Sequence, residues 1–233
     1  NMKGASANMF YGYEFEGVFA TTEEAVSSGL VNNKNQTYKG GDARYKDISG
    51  PQGTPDKVIN DYDLTIIGSG MPDLFGGISS TFTYKRWALT PFIQFVSGNE
   101  IYNYVRFQNE RISTLDNQST NVLNRWQYEG QQTDVPRALW NDPVGNTEFS
   151  SRWIEDGSYM RLKTLVLSYT IPNEFLAFRN AQFYISGHNL LTLSKYLGYD
   201  PEFGYSQEQV SMGIDYGLTP QPKQFIVGIK LGL

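Results

Sequence analysis

The chain has 233 residues, of which 39% are hydrophobic, 15% aromatic and 18% charged, and its formal net charge at pH 7 is −5. This acidic balance argues against a nucleic-acid partner, and the absence of cysteine excludes disulfide scaffolds, thiolate metal sites and cysteine nucleophiles. No stretch approaches the roughly 18 consecutive apolar residues of a transmembrane helix, so a membrane-spanning structure would have to be a β-barrel.

The first sixty residues combine a strand-like stretch, a helix and a long loop. Phe10–Phe19 is rich in aromatic residues and alternates imperfectly, which predicts the ascending half of a strand. Thr21 and Glu24 form a capping-box pattern before Gly29, which predicts a short helix. The polar stretch Val31–Asn60 is interrupted by Gly and Pro residues and is predicted to be a long loop.

Two alternating runs, Leu74–Tyr84 and Trp87–Ser97, predict a β-hairpin with a tight turn at Lys85-Arg86. Pro91 has no N–H for the strand ladder, so it marks a bulge or a local break in pairing. The larger apolar residues share one face of each strand: Leu74, Ile78, Phe82 and Tyr84 in the first, and Trp87, Leu89, Ile93 and Phe95 in the second.

A second hairpin is predicted from Tyr159–Ile171 and Ala181–Leu191, joined by Pro172–Asn180. Each strand is apolar on one side only, with Leu165, Leu167, Tyr169 and Ile171 aligned in the first and Phe183, Ile185 and Leu191 in the second. Eleven residues at about 3.3 Å each, tilted by about 45°, span roughly 26 Å, close to the apolar band of an outer-membrane barrel. Strands of soluble sandwiches are usually nearer 5–6 residues long, so strand length favours a membrane.

Long and short connections alternate along the chain. The long connections are the polar segment Gly98–Phe149 and the segment Thr192–Pro222. The first of them contains helix-forming patterns at Tyr102–Ile112 and Asn117–Tyr128. In outer-membrane barrels the long loops face outside and the short turns face the periplasm. The final run, Lys223–Leu233, alternates strictly and predicts one more strand.

Three blocks of the sequence resemble the C-terminal part of the SusC/RagA-like TonB-dependent outer-membrane transporters of Bacteroidetes-type bacteria. They read SSRWIEDGSYMRLKTLVLSYTIP (Ser150–Pro172), GHNLLTLSKYLGYDPEF (Gly187–Phe203) and GIDYGLTPQPKQFIVGIKLGL (Gly213–Leu233), and they occur in the family's order. The resemblance implies an all-β fold, in which the chain supplies the C-terminal strands of a plugged antiparallel barrel of about 22 strands with long extracellular loops. The plug domain and the N-terminal strands would lie outside residues 1–233.

The same resemblance implies import of a bulky nutrient, a glycan or a peptide, across the outer membrane. The expected partners are a SusD-like surface lipoprotein, TonB acting through the missing plug, and the barrel-assembly machinery at the C-terminal strand, in addition to the lipid bilayer. Asn1 is not preceded by a start Met or a signal peptide, so we expect the chain to be the C-terminal part of a larger exported polypeptide.

Candidate substrate-binding residues are aromatic side chains of predicted loops and one histidine of a predicted lumen face. They are Trp126, Tyr128, Trp140, Tyr199, Tyr205 and His188. A lone strand histidine without an orienting partner does not indicate catalysis, and we predict no enzyme and no cofactor. Ser49–Gly53 lacks the alternating carboxylates of a Ca²⁺ loop, so no metal site is predicted.

Two other interpretations share the same strand pattern. A soluble or surface-attached all-β module, such as an adhesin or a carbohydrate-binding domain, would use the alternation to form a sandwich. A passive porin would share the barrel pattern but would not need the SusC-like blocks. The three ordered blocks and the long strands favour the transporter.

Overall fold

The computed structural model describes residues 8–172, 180–202 and 213–232. These residues form two units, a loop unit made of the described residues up to 71, from 100 to 155 and from 213 to 217, and a sheet unit made of the others. In chain order the strands and helices begin with β1 (Met9–Gly12), β2 (Phe15–Val18), α1 (Thr22–Ser28), β3 (Val31–Asn32), β4 (Ala43–Tyr45), β5 (Val58–Ile59), β6 (Thr65–Ser69), β7 (Leu74–Ser79), β8 (Phe82–Tyr84) and β9 (Trp87–Ser97). They continue with β10 (Glu100–Asn103), α2 (Tyr104–Glu110), β11 (Ile154–Asp156), β12 (Tyr159–Ile171), β13 (Asn180–Ser194), β14 (Ile214–Asp215) and β15 (Gln224–Gly232), and short 3-10 turns occupy Asp61–Asp63, Thr120–Asn124 and Ser151–Trp153.

The sheet unit is one antiparallel sheet in the order β15-β13-β12-β9-β7, with β8 also paired to β9. β12 has the predicted bounds, and β13 extends past the predicted Leu191 to Ser194. β15 confirms the predicted terminal strand, of which Leu233 lies outside the described residues. Long period-two sequences therefore identify this sheet correctly, because each strand needs one apolar face.

The predicted strand Leu74–Tyr84 is interrupted, since β7 ends at Ser79 and β8 begins at Phe82. The interruption lies opposite Pro91, whose carbonyl oxygen accepts a hydrogen bond from the Ser80 N–H at 3.3 Å. Pro91 has no N–H and cannot donate the second hydrogen bond that an antiparallel pair normally forms at this position. This explains the predicted break in pairing.

A bulge in the middle of the sheet was not predicted. The pairing register of β12 shifts between Leu162 and Thr164 against both of its neighbours, and Asn189 in β13 has a positive φ of 52°. Beyond the shift Leu162 pairs with Leu191 and with Ile93. The extra residue thus keeps apolar side chains on one face along the full length of the strands.

The strand predicted at Phe10–Phe19 is confirmed only in part, because the stretch forms two short strands and not one. This stretch forms β1, which pairs with β6, and β2, which pairs with β4, both within the loop unit. The two strands separate at Tyr13, whose N–H donates to the Phe149 carbonyl oxygen at 3.0 Å. A Cβ on Gly12 would lie 2.5 Å from that same oxygen, so only glycine permits this approach of the two backbones.

The predicted long loop Val31–Asn60 carries β3, β4 and β5 and supplies much of the loop unit's core. The core cluster contains Tyr13, Phe19, Ala25, Tyr38, Ala43, Tyr45 and Ile59. Burying a large apolar side chain stabilises a fold by about 1.5–3 kcal/mol, so this cluster makes a folded unit from segments that are mostly polar in sequence.

Helix predictions for the loop unit are partly confirmed. α1 has Thr21 as N-cap, with its side chain accepting from the Glu24 N–H at 3.0 Å, and it ends at Gly29. α2 forms within the predicted Tyr102–Ile112, whereas Asn117–Tyr128 contains only a 3-10 turn. Neither α1 nor α2, the α-helices of the described ranges, is long and apolar enough to cross a bilayer.

Trp153 is the centre of a packed cluster in the loop unit between α2 and residues 152–155. Its fully buried ring lies edge-on to Phe107, with centroids 5.3 Å apart, and the guanidinium groups of Arg152 and Arg106 lie 4.4 Å and 5.7 Å from its centroid. The pKa of Arg152 is lowered to about 10, mainly because the side chain is buried and to a smaller extent because Arg106 is also positively charged. Arg106 also pairs with Glu155 at 3.1 Å, so the arginines link α2 to the segment that leads into β12.

Gly41→Ala should destabilise the loop unit more than Gly130→Ala. Both glycines have positive φ, 85° and 86°, so the backbone strain of the two substitutions is similar. A Cβ on Gly41 would lie 2.5 Å from the Trp126 ring, whereas a Cβ on Gly130 would meet nothing within 4 Å. Overpacking typically destabilises a fold by about 1–3 kcal/mol, and Gly41→Ala should lose this amount in addition to the backbone strain. Hydrogen exchange of the Phe19 amide would report the loss as a lower free energy of local opening. Equal effects of the two substitutions would contradict the assigned packing.

Candidate functional site

One face of the sheet is an apolar surface that the described residues leave exposed. Leu167 of β12 pairs with Leu89 of β9 and Ile185 of β13, and Ile185 pairs in turn with Val227 of β15. These four side chains are 40%, 38%, 42% and 64% exposed. The next row runs through Trp87, Tyr169, Phe183 and Ile229, and the Trp87 and Tyr169 rings lie 4.8 Å apart. A contiguous exposed apolar face of this extent requires an apolar neighbour.

The opposite face is mostly polar, with Phe92, Val166 and Ile226 as apolar exceptions. One row across it contains Ser168, Tyr184 and Gly228, and the next contains Thr170, Gln182 and Lys230. Gln182 Nε2 donates to Ser168 Oγ at 3.0 Å. The sheet therefore has one apolar face and one mostly polar face.

A cluster of ion pairs lies at one end of the polar face. Arg161 is 2% exposed and donates to Asp200, and its other terminal nitrogen donates to Glu202 Oε2 at 2.8 Å. Lys163 donates to both oxygens of Glu202, at 2.6 and 2.7 Å. The cations belong to β12 and the carboxylates to the segment after β13, so the cluster holds that segment against the sheet.

Asp200 also organises the backbone around it. Its Oδ1 accepts from the Glu202 N–H at 2.9 Å, and its Oδ2 accepts from the Gln221 N–H at 2.9 Å. The carboxylate thereby joins the connection after β13 to the one that precedes β15. The sequence did not lead us to predict this cluster. Its only indications in the sequence were two cations close together in a predicted strand, Arg161 and Lys163, and the acidic triplet Asp-Pro-Glu at residues 200–202.

Two of the predicted site residues lie in the sheet unit. His188 lies on the polar face, with its ring nitrogens 3.4 Å from Thr164 Oγ1 and 3.3 Å from Ser186 Oγ. Tyr199 is 74% exposed and immediately precedes the anchored Asp200. His188 is half-buried, and Tyr199 is largely open to solvent.

Three other predicted residues lie in the loop unit. Trp126 has a structural role, because its Nε1–H donates to the Ala20 carbonyl at 2.9 Å and its ring covers Gly41. Tyr128 and Trp140 are 66% and 61% exposed. Tyr205 lies outside the described residues. Among the three loop-unit residues, no hydrogen bond or ring contact within the described ranges joins any two.

Known proteins resemble the chain over almost its whole length. TonB-dependent receptor P3 and TonB-dependent receptor P26 of Formosa agariphila are 32% and 33% identical to it, each over 98% of the chain. The chain spans only 22% and 23% of these curated relatives. No protein-family model matches it.

Solved structures show the same fold. The RagAB peptide importer in its "open-open" state matches with a TM-score of 0.73 and 24% identity, covering 97% of this chain and 22% of that one. The "closed-closed" state matches with a TM-score of 0.71 over 97% of the chain and 23% of its counterpart.

Arg161→Met should detach the segment around Asp200 while β12 stays paired. Removing one partner of a buried ion pair typically costs about 3–5 kcal/mol, because the remaining charge stays buried without compensation. Hydrogen exchange at the Glu202 and Gln221 amides reports the change, since both amides donate to Asp200.

The matched control is Lys230→Met. Lys230 lies on the same face, 5.6 Å from the Tyr184 ring, and forms no salt bridge with any residue of the described ranges. Unchanged exchange at both reporter amides in Arg161→Met would contradict the anchoring role.

Proposed function

Over nearly its whole length this chain belongs to the SusC/RagA-like TonB-dependent receptors, and from that membership we propose that it forms part of the wall and loops of an outer-membrane importer. The described sheet would be the C-terminal part of a plugged barrel. The plug and the remaining strands would lie outside the 233 residues. The role is transport, in keeping with relatives that are named as receptors.

The exposed apolar face of long strands carries this proposal. β9, β12 and β13 contain 11, 13 and 15 residues. Tilted strands of 9–11 residues suffice to cross the hydrocarbon core, so these strands are long enough. Lipid would cover the apolar rows through Leu167 and Tyr169, and the polar face would line the lumen.

The connections suggest how the sheet is oriented in the membrane. The tight turn at Lys85-Arg86 joins β8 to β9 at one end of the sheet, and Pro172–Asn180 leaves β12 at that same end. The long segments after β9 and β13 start from the opposite end. Since long loops of such barrels face outside, we assign the end with the ion-pair cluster to the extracellular side.

The partners follow from the same membership. A SusD-like surface lipoprotein would capture the solute and deliver it to the lumen, and TonB would drive import through the plug. The barrel-assembly machinery would recognise β15. The solved structures that share the fold are described as a peptide importer, which favours a peptide as the solute, with a glycan as the other candidate.

The solute would contact exposed aromatic residues and the polar wall. Tyr128, Trp140 and Tyr199 offer exposed rings that can stack on sugars or grip peptide side chains. His188 offers a polar contact on the lumen side. Trp126 contributes by holding the backbone near Gly41 in place.

Ile185→Lys should impair assembly more than Gln182→Lys. Ile185 lies on the face assigned to lipid, where a lysine costs about 2–4 kcal/mol near the bilayer midplane, and Gln182 lies on the polar face. The measurement is the heat-modifiable fraction of the complete protein in the outer membrane. Equal assembly of the two variants would contradict the assignment of faces.

Trp140→Ala should reduce uptake of the natural solute without reducing the assembled fraction. The control is Leu115→Ala, which also removes an exposed apolar side chain, 89% accessible, from the loop unit. Uptake by cells and co-purification of the surface lipoprotein in mild detergent would be measured together. Equal uptake by the two variants would remove Trp140 from the solute path.

A further inference from the structure

A shallow groove of about 480 Å³ lies on the sheet unit, at the end that carries the ion-pair cluster. Its floor is a row of apolar side chains in which Met160 pairs with Phe95 on one side and with Leu193 on the other. This row continues the apolar face, because it lies two residues along the strands from the row through Leu162. Met160 and Leu193 are 49% and 58% exposed. The volume is within the range of about 300–1,000 Å³ that is usual for sites of organic ligands.

The groove belongs to the middle of the sheet. It spans β9, β12 and β13, and each of these strands is paired on both sides. The groove is therefore a feature of the paired surface, and further strands added at either edge of the sheet would not fill it.

Polar groups line the groove where its apolar floor ends. Ser97, Ser158 and Lys195 lie two positions along the chain from the three floor residues. Hydrogen bonds fix the backbone here, since Ser158 Oγ accepts from the Gly98 N–H at 3.1 Å and the Ser194 hydroxyl donates to the Ser158 carbonyl oxygen at 3.0 Å. An apolar floor beside a polar rim suits an amphiphile, with its tails on the floor and its headgroup at the rim.

The rim carries one charge of each sign, Lys195 and Asp156, and both side chains are exposed. Asp156 Oδ1 accepts from the Ser158 N–H at 2.9 Å. Hydrogen bonds from Ser158 lower the pKa of Asp156 and the charge of Lys195 lowers it further, so the carboxylate is ionised at neutral pH. Lys195 forms no direct salt bridge with a residue of the described ranges. A headgroup with one phosphate and one ammonium complements both charges, whereas Asp156 would repel a headgroup that is only anionic.

We propose that this groove binds a zwitterionic phospholipid of the phosphatidylethanolamine type. The phosphate lies at Lys195 and the Ser97 hydroxyl, the ammonium group lies at the Asp156 carboxylate, and the first carbons of the acyl tails lie on the apolar floor. The inference rests on the proposed membrane position of the sheet and goes beyond it, because a wall that merely contacts lipid needs no preference for a headgroup.

The test is competition for a photoreactive lipid by the complete protein in detergent. The probe is a phosphatidylethanolamine with a diazirine near the carboxyl end of one acyl tail, and peptide mass spectrometry locates its crosslinks. Met160 and Leu193 report the groove, and Leu167, on the same face outside the groove, is the reference.

Unlabelled phosphatidylethanolamine should suppress the crosslinks at Met160 and Leu193 at an about threefold lower mole fraction than tail-matched phosphatidylglycerol. The difference is modest because exposed charge pairs contribute little individually. The two lipids should suppress the crosslink at Leu167 equally, since no charged rim adjoins that position.

Two substitutions separate the two charges of the headgroup. Asp156→Asn keeps an acceptor for the Ser158 N–H and removes the charge, so the advantage of phosphatidylethanolamine should disappear. Lys195→Gln removes the partner of the phosphate, which both lipids share, so both should compete about threefold less well. Lys230→Gln, on the polar face, is the matched control for the loss of a lysine and should change neither value.

Equal competition by the two lipids at Met160 and Leu193, or a phosphatidylethanolamine advantage that survives Asp156→Asn, would overturn the proposal. Crosslinks at Leu167 would in that case still support lipid on the apolar face. Stronger competition by phosphatidylglycerol would also overturn it and would indicate an anionic lipid held by Lys195. The absence of crosslinks at all three positions would contradict the membrane position itself, and this inference with it.

Discussion

Strands that are apolar on one side only are the constraint on which the rest of this structure depends. The rows through Leu167 and Tyr169 cross the sheet from β15 to β9, and no segment within the described ranges covers either of them. Burying apolar surface is worth about 25 cal/mol per Å², so a face of this size is unfavourable in water and favourable against lipid. The bulge near Lys163 serves the same constraint, because it returns Leu162 to the apolar face after a change of register.

The long connections between the strands of the sheet fold into the loop unit. Glycines at close contacts and buried charged side chains allow them to pack together. Gly12 and Gly41 let distant backbones and the Trp126 ring approach closely. Asp42, fully buried, accepts two hydrogen bonds from Arg137 at 2.7 and 3.1 Å and one from Asn146 at 3.2 Å. Polar segments far apart in sequence are thereby joined around a modest hydrophobic core. A binding surface built on such a unit can hold side chains in fixed positions.

Local patterns predicted the long sheet well and the loop unit poorly. The bounds of β12 and the turn at Lys85-Arg86 follow from period-two alternation, which every strand of a two-faced sheet must obey. Phe10–Phe19 has a similar composition but divides into two strands, because its partners, β4 and β6, lie far along the chain. The family resemblance correctly predicted the family to which the chain belongs. It did not predict the ion pair of Arg161 with Asp200 or the hydrogen bond of Trp126 to Ala20, which join residues 39 and 106 positions apart in the sequence. Such contacts leave no periodic trace in a single sequence.

Introduced cysteines can show whether β13 separates lipid from a polar lumen, because residues 1–233 contain no cysteine. Spin labels at positions 182 to 186, one at a time, would be examined in the complete protein in lipid bilayers for collisions with oxygen and with a water-soluble nickel complex. We expect alternation, with labels at Phe183 and Ile185 reached by oxygen and labels at Gln182, Tyr184 and Ser186 reached by the nickel complex. Equal access of the nickel complex to both sets would contradict a membrane wall and favour a soluble β-sheet module.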